Sequence, residues 1–283
     1  MNPITLYTDV ADFRSYTDGL QADTTLSQLA PSIRTAASDI KAVITAAVFD
    51  VIAAYTTAST DAEKEGKELL KAAIASGAMH KYMIFDAVKK NGSDSSLYKY
   101  QVDEIKQHHI EAYYRSMDEL LGWLDTNNTT GSYNTSDQYS DRQALPLKSA
   151  AEFDKYYGIG GSGFFFHKIQ YILKSIWEYK VKGLVGSSDD EKILELGKRI
   201  LAYRTMAAAV LQFDATELPR SIRWDAKNEH ASGSDMPERE RLAQQLISQA
   251  ESWEKSLQVL THNSGAAITS DQNREENKFY ATL

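Results

Sequence analysis

Along most of the chain, apolar side chains recur at spacings of three and four, the period of an amphipathic helix rather than of a strand. The first long stripe is Leu26, Leu29, Ile33, Ala36, Ile40, Ile44, Val48, Val51 and Tyr55, which predicts one helix over about 26–55. Pro31 belongs in its first turns or marks a kink, because an interior proline removes a backbone hydrogen bond. The run T-T-A-S-T-D then breaks the pattern. A second helix is expected over 62–90, with Leu70, Ile74, Gly77, Ile84 and Val88 on one side and the small residues Ala73, Gly77 and Ala78 allowing a close crossing. A third is expected over 97–124, carrying Val102, Ile105, His109, Ala112, Tyr113, Met117, Leu120, Leu121 and Leu124. Strand patterns are weak throughout, so the fold is expected to be mainly α.

The chain then repeats itself. L-Y-T-D-V-A-D-F-R-S-Y near the start is echoed by L-P-L-K-S-A-A-E-F-D-K-Y, and Phe153 and Tyr156 lie 140 residues after Phe13 and Tyr16 (153−13, 156−16). Three more helical stripes follow the second copy. They are Phe165 to Leu184, Ile193 to Leu211, and Leu242, Leu246, Ala250, Trp253, Leu257 and Leu260. G-S-S-D-D stops the first of these. The last starts at D-M-P-E, where Asp235 suits an N-cap and Pro237 a first turn. The expected layout is two similar three-helix units by internal duplication. Residues 1–130 form the first unit with its lead-in, 131–145 a polar linker, 146–262 the second unit, and 263–283 a flexible tail. L-P-R-S-I-R-W, between the last two stripes, reads as an extended arm.

Composition narrows the function. The formal net charge of −8 and pI of about 5.3 argue against a broad basic grip on nucleic acid and against anionic membranes. An acidic surface instead repels phosphates, so DNA could pass it without sticking. With no cysteine there is no disulfide, thiolate zinc site or catalytic thiol. No apolar run approaches the ~20 residues that span a bilayer. The N-terminus lacks the basic and apolar regions of a signal peptide, so the protein is expected to act where it is made. The Asn-x-Ser/Thr triplets at Asn91, Asn127, Asn128 and Asn134 then mark polar loops.

Candidate chemistry is sparse. G-I-G-G-S-G (Gly158, Gly160, Gly161, Gly163) precedes a helix, where glycine loops cradle phosphates. It lacks the Lys-Ser/Thr of a P-loop and the preceding strand of a dinucleotide site, and so reads as a turn. His108 and His109 are adjacent, whereas helical zinc ligands sit four apart. His80, His167, His230 and His262 have no partner at ligand spacing. No catalytic residue, cofactor or metal is therefore expected, and the chain is not expected to be an enzyme. Attention moves to apolar side chains with no obvious cover. Three consecutive aromatics, Phe164, Phe165 and Phe166, fan around a helix axis, so two are expected in the core and one, Phe164, at an interface. Arg220, Arg223 and Trp224 in the arm are typical interface anchors, although Trp224 could equally cover its own domain. Phe279 and Tyr280 end a polar tail that reads as a docking peptide.

The layout resembles the head–tail connector proteins of tailed bacteriophages, the adaptors beneath the portal. The likeness rests on a short motif followed by a long helix bearing Leu29, Ile33, Ala36 and Ile40, then V-I-T-A-A-V-F-D-V-I. It is closest to a larger type in phages of Bacteroidetes hosts, with L-P-R-S-I-R after the fifth helix. The resemblance implies a structural virion protein. Its copies would form a dodecameric ring on the portal protein, extend the DNA channel without specific binding, and receive the tail or a further neck protein. It would reside in the host cytoplasm before assembly, with no membrane role. A cytoplasmic helical adaptor for a protein or peptide is the alternative, and a metal- or ligand-dependent enzyme comes third.

Overall fold

The structure, a computed structural model, describes residues 1–91, 99–214, 217–219 and 236–265. It is mainly helical, and no strand occurs among the described residues. The chain divides into two compact units. One holds the described residues of Met1–Gln170 and Phe213–His230, the other those of Tyr171–Gln212 and Ala231–Leu283.

Unit 1 is built on α2 (Leu26–Ile44), α3 (Ala46–Ala54), α4 (Asp61–Asn91) and α5 (Lys99–Thr126). Local chemistry fixes where these helices begin. Thr25 and Gln28 form a capping box, and Thr60 and Glu63 repeat it before α4, each side chain taking the other's orphan N–H. Leu29, Ile33, Ala36 and Ile40 are all fully buried, with Leu70, Ile74, Met117, Leu120 and Leu124 against them. Small residues permit the close crossing. A Cβ placed on Gly77 would lie 2.9 Å from the Tyr113 ring and 3.2 Å from the Ala36 Cβ. Pro31 stands inside α2, and Thr35 Oγ1 donates to its carbonyl at 2.9 Å.

The N-terminal motif is a peg driven into this unit. α1 (Val10–Arg14) is capped by Asp9 and buries Phe13 completely. Tyr7 Oη donates to the Lys71 carbonyl at 2.7 Å, Lys71 Nζ reaches Asp12 at 2.9 Å, and Tyr16 Oη donates to Glu68. The second copy has the same local build. α6 (Asp137–Gln143) leads to α7 (Ala150–Asp154), which is capped by Ser149 and buries Phe153 completely. Asp12 accepts from Thr8 N at 3.0 Å, and Glu152 accepts from Lys148 N at 2.6 Å, again 140 residues apart (152−12, 148−8).

Unit 2 contains the end of α8 (Gly163–Ile176), a π-helical turn (Trp177–Val181), α9 (Lys182–Val185), α10 (Glu191–Gln212) and α11 (Met236–Gly265). The two long helices form an antiparallel hairpin, because contacts late in α10 meet contacts early in α11. Arg239 donates to the Val210 carbonyl at 2.8 Å, whereas Arg204 pairs with Glu254 at 2.8 Å. The Tyr203 and Trp253 rings meet edge to face at 4.6 Å. Gly197 lets Val181 and Val185 approach α10, since a Cβ there would be 2.5 Å from Val185 Cγ2. Gly186, at φ 61°, ends α9 where G-S-S-D-D was expected to stop the helix.

Three expectations are corrected. The single helix over 26–55 is broken at Thr45, which adopts φ 74° and caps α3 through Val48 N. The segment 131–145 is not a linker. Tyr133 is buried, and Gly131 sits so close to α3 that a Cβ would lie 2.7 Å from Val48 Cα. Arg142 pairs with Asp125 at 2.5 Å. The boundary between units consequently falls inside α8, between Gln170 and Tyr171, instead of before residue 146. Most of the arm and all but the first residues of the 263–283 tail lie outside the described residues.

Candidate functional site

The glycine loop before α8 has the build of an anion cradle, and carboxylates of the chain fill it. Gly160 and Gly161 both adopt φ 71°, which places their amides in a tight turn. Asp154 accepts from Ile159 N and from Gly161 N, both at 2.6 Å. Asp118, reaching over from α5, accepts from Ser162 Oγ at 3.0 Å and from Phe164 N at 2.7 Å. These are the donors a phosphate would need at a helix N-terminus. Burial pushes the Asp118 carboxyl above its ordinary pKa, against the pull of the bonds from Phe164 and Ser162. The loop is thus an internally satisfied cap.

Beside it lies a cleft of ≈ 510 Å³, lined chiefly by Ile110, Tyr114, Ile159, Phe165 and Leu218, with the carboxyl side chains of Glu111, Asp118 and Glu217 and the guanidinium of Arg115 at its polar edge. Its far wall is the root of the arm. Lys168 fixes that root by pairing with Glu217 at 2.5 Å and donating to Tyr114 Oη at 3.0 Å, while Tyr114 donates to the Glu217 carbonyl at 3.2 Å. Apolar clefts of this size hold a small ligand or a few side chains of a peptide.

Burial, then the neighbouring His108, lowers the pKa of His109. Burial, with Arg142 nearby, pushes His167 down to about 4. Both rings are therefore neutral near pH 7. Among the described residues no three His, Asp or Glu side chains gather as a cation site.

The predicted interface residues fare unevenly. Phe164 is not a leftover aromatic: it is only 6% exposed, edge to face with Tyr113 at 5.3 Å and Tyr114 at 4.9 Å. Phe165 and Phe166 are buried too, against Phe213 and Phe153 respectively. Arg220, Arg223, Trp224, Phe279 and Tyr280 lie outside the described residues.

The exposed apolar side chains are elsewhere. Among the described residues, and apart from Met1, the large exposed hydrophobics are Val51 in unit 1 and Tyr171, Tyr179, Leu194, Leu211, Val259 and Leu260 in unit 2. Tyr179, on the π-helical turn, is 86% exposed, and Val259 is 60% exposed. The sequence carried a signal for Tyr179, since it falls off the stripe that runs from Ile176 to Val181.

The sequence matches a family of unknown function (DUF6712) over residues 40–143 and 166–275. The chain belongs to that family. The two matched stretches take in α3 to α6 and most of α8 to α11, with the exposed residues of unit 2, and leave out α1, most of α2 and α7. No curated protein and no solved structure matches the chain.

Proposed function

We propose that the chain is a structural virion protein of a tailed phage, a head–tail connector. Its copies form a ring between portal and tail and extend the DNA channel. The observation that carries this reading is that, among the described residues, six of the seven exposed apolar side chains named above lie on unit 2. Isolated exposed hydrophobics are ordinary on a monomer, but their concentration on one small unit marks a surface meant for protein. The net charge of −8 agrees with a channel that does not hold DNA. The doubled peg and the resemblance in helix order add support. On this reading the chain resides in the virion, and in the host cytoplasm before assembly.

Native mass spectrometry of the purified chain, alone and with the portal protein of the same genome, tests the proposal. The expected result is a closed assembly whose mass is a multiple of 31.6 kDa, dodecameric on the portal. A chain that stays monomeric at high concentration and ignores the portal would sink the idea. A second reading, a helical adaptor for a peptide, is favoured by the apolar cleft beside Leu218 and Pro219. It predicts a persistent monomer that binds peptide with loss of affinity in Ile110→Asp.

A further inference from the structure

Side chains of α5, α6, α7 and α8 line a second cavity, of ≈ 220 Å³, and Asp118 lines both this cavity and the cleft. All of its lining belongs to unit 1, including the segment 131–145 that packs on that unit. Leu121, Ala150 and Phe166 are buried and give it an apolar wall. A cavity of ~150 Å³ takes benzene, so this one has room for a ring bearing one polar group.

Two side chains of this lining hold buried nitrogens with no hydrogen bond, Arg142 Nε and Gln170 Nε2. Arg142 spends its two other nitrogens on Asp125, at 2.5 Å and 3.4 Å, and leaves Nε over. A buried donor without an acceptor is costly, and folded proteins keep few of them. An acceptor that enters the cavity removes that cost. The charges around it are already spent. Arg142 is balanced by Asp125, Asp118 is engaged by Ser162 and Phe164, and His167 is neutral near pH 7. An ionic ligand would bring an unbalanced charge out of water, whereas a neutral one would not. A carbonyl oxygen suits the two donors. An N–H beside it suits the carboxylates of Asp118 and Asp125, because a carboxylate accepts up to about four bonds.

We propose that this cavity binds a small neutral amide. The carbonyl accepts from Arg142 and Gln170, the N–H donates to Asp118 or Asp125, and the apolar body lies against Leu121, Ala150 and Phe166. A bound amide ties α6 to α8 and so holds the segment 131–145 on unit 1. The site lies within one unit and does not depend on the connector reading.

Benzamide is the probe, with benzoate and benzylammonium as its anionic and cationic counterparts of similar size. Proton–nitrogen NMR of the full-length chain is the readout. The Arg142 Nε–H signal is assigned by its loss in Arg142→Lys. Benzamide is expected to shift that signal saturably, with a Kd of about 10 mM or tighter for a ligand of this size. The two ions are expected to bind about 5-fold more weakly or worse. Gln170→Leu keeps nearly the same side-chain volume and is expected to weaken benzamide about 10-fold or more. A dispersed spectrum checks that the variant folds, and a crystal structure grown with benzamide should place its oxygen at Arg142 Nε. A signal that benzamide leaves unmoved, benzoate or benzylammonium binding as tightly as benzamide, or undiminished binding in Gln170→Leu would each overturn the proposal. Ordered water alone at Arg142 Nε in the benzamide crystals would do so too. Failure of the chain to form rings would leave it untouched.

Discussion

Gly66 on α4 faces the indole of Trp123 on α5. A Cβ at that position would lie 2.6 Å from Cη2 and 2.8 Å from Cε2 of the ring, and closer still to Cζ2. The indole has nowhere to retreat: it is 7% exposed and donates through Nε1 to the Ala62 carbonyl at 3.0 Å. Gly66→Ala therefore forces an overpacked crossing, costing about 1–3 kcal/mol. Displacing the ring also loses its hydrogen bond, about 1 kcal/mol. Against this, alanine favours the helix by about 1 kcal/mol over glycine. The net expectation is a loss of about 1–3 kcal/mol. Gly122, adjacent to Trp123 in sequence, has nothing within 4 Å of its Cβ position and is the matched control. Gly122→Ala should keep the helix gain and stabilise by about 0.5–1 kcal/mol. Urea unfolding followed by far-ultraviolet circular dichroism and indole emission reads both. For a slope near 2 kcal/mol/M, Gly66→Ala should lower the midpoint by about 0.5–1.5 M while Gly122→Ala raises it. If the units unfold in separate steps, only the unit 1 step should move. A Gly66→Ala protein as stable as Gly122→Ala would refute the close crossing.

Other substitutions probe different links. Burial raises the Asp12 carboxyl pKa, but the bonds from Lys71 and Thr8 outweigh it and hold the group below the usual carboxylate range. Its contribution is thus present near neutrality and is lost as pH falls through the folded-state value. Asp12→Asn should cost about 1–3 kcal/mol at pH 7, the gap from wild type closing below about pH 4 in acid titrations of stability. Asp118 shifts the other way, so its ionisation makes stability fall as pH rises past the ordinary carboxylate value. Asp118→Asn, which keeps an acceptor for Ser162 and Phe164, should flatten that slope, whereas Asp118→Ala should lose about 1–2 kcal/mol in urea melts at any pH. Thr205 on α10 is fully buried with no hydrogen bond to Oγ1. Thr205→Val should raise the unit 2 melting transition by about 1 kcal/mol, and a loss of that size would reveal a hidden partner for the hydroxyl.

Much of the helical frame was legible in the sequence, because a stripe at helical period has one way to be buried. Leu29, Ile33, Ala36 and Ile40 illustrate this, and their complete burial shows that the stripe on which the connector resemblance rests is core. The break at Thr45 was not legible, since Val48, Phe49 and Ile52 resume the stripe beyond it and all three are buried. Composition misled over 125–145, where a mostly polar run carries the buried Tyr133 and a glycine chosen for contact with Val48. The three phenylalanines show the limit of reading a helix in isolation. They do fan around α8, but Tyr113 and Tyr114, Phe213, and Phe153 each cover a different side. What covers an aromatic residue is set by parts of the chain distant in sequence.

The paired pegs, α1 and α7, bear on how the chain reaches its native state. Two pegs that share Ala11/Ala151, Phe13/Phe153 and Tyr16/Tyr156 emerge from synthesis 140 residues apart (150−10), and the earlier seat is available before the later peg exists. In denatured full-length protein both pegs are present at once, and each must find its own seat, Phe13 beside Tyr7 and Phe153 beside Phe166. Lys71 is the ward that tells them apart, since it closes on Asp12 at 2.9 Å and Tyr16 lies under its ammonium at 4.7 Å. Glu152 carries its carboxylate one methylene further out, so a mis-keyed chain seats its phenylalanine while leaving that ammonium poorly matched. Synthesis from the N-terminus thus lets α1 take its seat first, an order that refolding from denaturant does not impose.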